Sequence, residues 1–136
     1  MTPKTYAAWL RWAVSEFGRA GVDEPRLDAK LLLLKAAGID SAELIMKSDA
    51  ILPADIAGDF QAMISRRMAG EPVSLILGEV EFMGLTFRTD ARALAPRQDS
   101  ERLVELALER SEGQGEGRVV DLGTGSGCLI LSFLHY

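Results

Sequence analysis

The sequence predicts an all-α helical bundle, then a β-hairpin, then the opening strand, turn and helix of an α/β core. Three observations carry that reading. Apolar residues recur at helical spacing through residues 3–70. After Gly70 the period shortens and β-forming residues flank Gly84. Near the C-terminal end, Arg118-Val119-Val120-Asp121-Leu122 runs into Gly123, Gly125 and Gly127 and then into an apolar stretch from Cys128.

Tyr6, Trp9, Leu10, Ala13, Val14 and Phe17 fall on one face of a first helix, which Gly18 and Gly21 close. Asp23 is positioned to cap a second helix with Pro25 in its first turn. That helix carries Leu27 and Leu31 to Leu34 and stops at Gly38. Asp40 or Ser41 opens a short third helix with Leu44, Ile45 and Met46. Pro53 and Asp55 open a fourth, with Ile56, Phe60, Met63 and Ile64 on one face and Arg66 and Arg67 in its last turn. For that arginine pair, dipole and surface roles are expected. Trp9 lies on the apolar stripe and is read as core. Trp12 lies off it, and without a basic groove a base-stacking role has little support.

Pro72 to Gly78 reads as a linker or short strand, and Glu79 to Thr89 as a hairpin. The loop Ala91 to Pro96 follows. Asp99 or Gln98 then caps a helix through Leu103, Val104, Leu106, Ala107 and Leu108, with Asp99 and Glu101 in its first turn. Ser111 to Gly117 is a polar, glycine-containing link into the strand Arg118 to Leu122. The domains are accordingly a helical unit over 1–72, a linker and hairpin over 73–98, and the start of a core over 99–136.

Composition excludes several classes. The net charge of −5, without a large basic block, argues against a sequence-independent grip on phosphates. One cysteine permits no internal disulfide, which suits a reducing cytoplasm. No apolar run reaches the roughly 18–20 residues of a membrane span, and the N-terminus lacks a signal-peptide core. A structural zinc site is excluded by ligand count. No Ser–His–Asp or Cys–His constellation competes, and His135 is the only histidine. Cys128, at a helix start, is read as a small packing residue.

The glycine stretch carries the chemistry. Alternating glycines permit a sharp turn and close approach of a ligand to the main chain. The helix behind them aims unpaired N–H groups and a positive dipole end at the occupant, so an anionic or carboxylate-bearing ligand is expected. The dinucleotide fingerprint needs its third glycine one place later, where Cys128 stands, and no lysine follows to make a phosphate loop.

The pattern D-x-G-x-G-x-G resembles the first motif of Rossmann-like methyltransferases that bind S-adenosyl-L-methionine. Further segments resemble one family of these, in the same order. They are Arg66-Arg67 leading to Gly70-Glu71-Pro72, Leu77-Gly78, Glu81-Phe82-Met83-Gly84-Leu85, and Pro96-Arg97-Gln98-Asp99-Ser100-Glu101. The chain is similar, over essentially its whole length, to PrmC/HemK-type methyltransferases that modify a glutamine side-chain nitrogen of peptide chain release factors. Family members carry a second proline where Gln98 stands, which loosens the loop but keeps Arg97 and the acidic first turn. The resemblance implies a Rossmann-like methyltransferase core and a cytoplasmic enzyme, with a release factor as protein partner and no direct contact with nucleic acid or membrane. It implies cofactor contacts at Asp121, Gly123, Thr124, Gly125, Ser126 and Gly127. It also implies a target-glutamine pocket at Leu94, Pro96 and Arg97.

The family's Asn-Pro-Pro-Tyr motif, which orients the target amide, does not occur in these residues, nor does the ribose-binding acid of a second core strand. No catalytic residue is therefore assigned. The chain reads as an N-terminal portion that is inactive as it stands. Two other readings are a non-catalytic interaction module with a vestigial glycine loop and an unrelated nucleotide-binding α/β fragment.

Overall fold

A computed structural model describes residues 3–136. The chain divides after Leu77 into two compact units.

The first unit is helical. Helix α1 (Tyr6–Ala20) starts at Thr5, whose hydroxyl accepts the Ala8 N–H at 3.3 Å. It buries Tyr6, Trp9, Ala13 and Phe17, the stripe read from the sequence. Gly21, at φ +73, ends it in the left-handed conformation that glycine adopts without a Cβ clash. Helix α2 (Pro25–Ala37) differs from expectation at its start. Glu24 holds the cap position without a side-chain bond, so Asp23 does not cap. Helix α3 (Ser41–Met46) carries a reciprocal capping box between Asp40 and Glu43. Helix α4 (Ala54–Met68) buries Phe60 and Ile64.

Residues 73–77 form a further short helix, α5 (Val73–Leu77), where a linker or strand was expected. The Pro72 carbonyl accepts N–H groups from Leu75 and Ile76 and so starts a turn, with proline at a helix N-terminus where its missing N–H costs nothing. Ile76 is buried and joins the bundle core.

That core gathers Tyr6, Trp9, Ala13, Phe17, Ala29, Leu32, Leu33, Leu44, Leu52, Phe60, Ile64 and Ile76. Trp9 meets Phe60 edge to face at 6.4 Å and Trp12 at 5.2 Å. Trp12 is half-buried. The arginine pair does more than complement a dipole. Arg67 Nε donates to the buried Asp28 at 2.8 Å, tying α4 to α2. Arg66 donates twice to Glu71, at 2.7 and 2.6 Å, and holds that carboxyl below its usual range.

The second unit contains an antiparallel hairpin, β1 (Glu79–Phe82) with β2 (Leu85–Arg88), paired Glu79 to Arg88 through Phe82 to Leu85. Two helices follow, α6 (Asp99–Ser111) and α7 (Cys128–His135). Phe82, Val104 and Cys128 form its buried centre, with Met83, Phe87, Leu108, Leu129 and Phe133 packed around them. Neither Asp99 nor Gln98 caps α6 through a side chain: Gln98 already has helical angles, and Asp99 is the first helical residue.

The strand expected at Arg118 to Leu122 is absent. A strand is stabilised by its ladder, and β1 and β2 pair only with each other among the described residues. Val119, Val120 and Leu122 are exposed. The observed fold is thus mostly helical with one hairpin, and the opening strand of an α/β core is not formed.

Candidate functional site

The glycine stretch forms a loop against the start of α7. Gly123, Gly125 and Gly127 have φ of +78, +57 and +81. Each lies where an L side chain is strained, which explains the alternating glycines. The Thr124 hydroxyl donates to the Asp121 carbonyl at 3.0 Å, and the Gly127 N–H donates to the Thr124 carbonyl at 2.9 Å. These bonds close the turn. The Ser126 hydroxyl donates to the Cys128 thiol at 3.1 Å and so turns inward.

Gly127 stands at the N-cap of α7 with no side chain to offer, so the first-turn N–H groups lack a side-chain cap. Beside Gly123 nothing lies within 4 Å of where a Cβ would sit. Gly123 and Gly125 therefore present exposed main chain, with the half-buried Asp121 at the base of the loop, while Gly127 and Cys128 are buried. A ligand carrying a carboxylate suits the donors, and a cationic group suits Asp121.

The second set of expected residues lies on the loop between β2 and α6. Leu94 is 90% exposed, Pro96 half-buried and Arg97 exposed. Asp90 shapes this loop. Arg92 grips both its oxygens, the two closest contacts being Nη2 at 2.6 Å and the Arg92 backbone N–H at 2.9 Å. Hydrogen bonding from the guanidinium, then from that backbone N–H, holds the Asp90 carboxyl at about 2, well below the usual range. No hydrogen bond joins Leu94, Pro96 or Arg97 to the residues 121–127 among the described residues.

A cavity of about 440 Å³ lies beside the loop, lined by α6, by Arg118 to Asp121 and by α7. Its walls include Leu103, Val104, Leu129, Ile130 and Phe133, so it is chiefly apolar and Asp121 marks its polar edge. Among the described residues no group of three or more His, Cys, Asp or Glu gathers to hold a metal. Among the described residues no helix is long and apolar enough to cross a membrane.

Sequence reasoning missed three arrangements. The Asp28–Arg67 pair joins residues far apart in the chain, which no local pattern reveals. Ser132 is fully buried with its hydroxyl unpartnered among the described residues. Glu101, read as a dipole partner, sends its carboxylate to the Met83 N–H at 2.8 Å.

The PrmC N-terminal domain family matches residues 8–78, over the helical unit. The chain is 40% identical over 124 residues to a protein named release factor glutamine methyltransferase from Moorella thermoacetica, covering 91% of this chain and 44% of that one. A protein of the same name from Bradyrhizobium diazoefficiens is 41% identical over 135 residues, 97% of this chain and 43% of its own length. One from Rhodospirillum rubrum is 43% identical over 115 residues, 85% and 35% respectively. The chain thus spans less than half the length of these curated relatives. With a match extending over more than half of its residues, the chain belongs to the PrmC N-terminal domain family.

Proposed function

We propose that this chain is the front portion of an S-adenosyl-L-methionine-dependent methyltransferase whose target is a glutamine side chain of a peptide chain release factor, acting in the cytoplasm without direct nucleic-acid contact. The observation that carries the proposal is the left-handed glycine loop set against the uncapped start of α7. The names of the relatives supply the reaction class.

The residues fit the cofactor. The uncapped N–H groups complement a carboxylate such as that of its methionine part, and Asp121 complements a positive charge. The exposed glycines at 123 and 125 keep side chains out of the approach. When bound, the cofactor supplies a methyl group on a sulfonium leaving group. A glutamine nitrogen is a poor nucleophile because its lone pair is shared with the carbonyl, so in-line positioning is what the protein must add. In this proposal Asp121, Gly123, Thr124, Gly125, Ser126 and Gly127 hold the cofactor, while Leu94, Pro96 and Arg97 receive the target segment. The bundle serves recognition of the protein substrate.

The proposal predicts the effect of Gly125→Val. At φ +57 a branched side chain is strained, and it would also intrude on the bare main chain. A suitable host is a chimera in which this chain is continued by the remaining sequence of the Moorella thermoacetica relative. Calorimetry on that chimera should show cofactor affinity falling by about tenfold or more, roughly 1.4 kcal/mol. Unchanged affinity would remove the loop from the cofactor site.

A further inference from the structure

We propose that Glu101 is a positioning residue, which seats the loop 89–98 by pinning the hairpin tip to α6 and thereby fixes where Leu94, Pro96 and Arg97 meet a polypeptide substrate. The substrate half of this inference rests on the function proposed above.

The hairpin turns through Met83 and Gly84, with φ of +52 and +70. Such a turn needs positive φ at both central residues and favours Asn, Asp or Gly. Met83 is the only non-glycine residue at positive φ among those described, so its conformation is held against a local preference. Two groups hold it. Glu101, in the first turn of α6, accepts the Met83 N–H at 2.8 Å. The Tyr136 hydroxyl donates to the Met83 carbonyl at 2.7 Å. The peptide groups that would face water at a hairpin tip are thus both satisfied by side chains from elsewhere in the unit. A charge-assisted bond of this kind is among the stronger ones.

The consequence falls on the loop. One of its feet is the hairpin stem, where the Thr89 N–H donates to the Gly78 carbonyl at 3.0 Å. The other is α6, where the carbonyls of Arg97 and Gln98 accept from Ser100 and Glu101, each at 2.9 Å. Between the feet, the Asp90–Arg92 grip holds a local turn. A locally shaped loop on two feet is placed by the spacing of those feet. That spacing depends on the angle between hairpin and α6. Four-residue strands make a lever of about 14 Å at roughly 3.4 Å per residue. A small swing at the tip therefore moves the far foot. Glu101 bridges the tip to the turn that forms the second foot.

The test has arms that need no activity. In the 136-residue chain at low concentration, Glu101→Ala should speed hydrogen exchange at the Met83 amide by about tenfold, while Glu101→Gln, which keeps an acceptor oxygen, should preserve most of the protection. Tyr136→Phe removes the other hold and should leave the bond to Glu101 intact. Spin labels at Leu94→Cys and Arg110→Cys should report a narrow distance distribution that broadens with Glu101→Ala and narrows again with Gln. Cys128 is buried and does not compete for label. In the Moorella chimera, Glu101→Ala should raise KM for a release factor by about fivefold, with kcat and cofactor affinity within about twofold. Unchanged Met83 exchange in Glu101→Ala would overturn the pin. Faster exchange with an unchanged label distance or an unchanged KM would overturn the seating of the loop. If the parent chimera methylates no release factor, the functional reading fails, and exchange and label distance still decide whether Glu101 seats the loop.

Discussion

Replacing Phe60 by alanine should destabilise the helical unit by about 3–5 kcal/mol. Phe60 is fully buried between α4 and the rest of the bundle and stacks edge to face on Trp9. Its removal forfeits the transfer energy of a ring and leaves a cavity that the surrounding helices fill only in part. A unit of this size buries a modest fraction of its unfolded surface and has little stability in reserve. The variant should therefore melt without a clear cooperative transition, or near room temperature, when followed by circular dichroism. Leu27, which is 47% exposed on α2, is the control. Its alanine variant should lose under about 1 kcal/mol. A similar small loss at Phe60 would mean that the core is not where the structure places it.

The second large effect concerns association. Val120 and Leu122 are 78% and 90% exposed, and Leu131 and Leu134 on α7 are 52% and 65% exposed. Exposed apolar side chains of this size, with the cavity that Val120 helps to line, are the kind of uncovered surface that drives self-association. The 136-residue chain should sediment as a concentration-dependent mixture of monomer and larger species. Placing lysines at Val120 and Leu122 should shift it to monomer, because burying an unpaired ammonium costs more than the apolar contact returns. A parent chain that stays monomeric at high concentration would contradict this.

The helices were legible because their stripes are regular and their ends are marked. Thr5, Asp40, Gly21 and Gly38 act at helix ends through chemistry that is local in sequence. The run Leu31 to Leu34 was less informative, since consecutive leucines point to every face of a helix. The structure chooses Leu32 and Leu33 for the core and leaves Leu31 half-buried. Val73 to Leu77 has the composition of a strand and forms a helix, because Pro72 starts a turn and Ile76 finds the bundle core. Residues 118–122 show the opposite case. Their β-propensity is plain, but a strand exists only with a partner, and propensity cannot supply one. The glycine loop was legible in outline. The alternation permits positive φ, and Gly123, Gly125 and Gly127 adopt it, whereas of the alternating Gly113, Gly115 and Gly117 only Gly113 does. The reach of Glu101 to Met83 was not, since it depends on how the hairpin tip lies against α6.

Methyl transfer to a release factor is the decisive measurement. Purified 136-residue chain and the Moorella chimera would each be incubated with methyl-labelled S-adenosyl-L-methionine and a release factor, and the modified residue located by mass spectrometry. The expected result is label on a glutamine side chain with the chimera and none above background with the chain alone, whose residues include no group assigned to orient the amide. Label transfer by the 136-residue chain at a rate near that of the chimera would contradict it, and would place the chemistry in residues described here as scaffold and cradle.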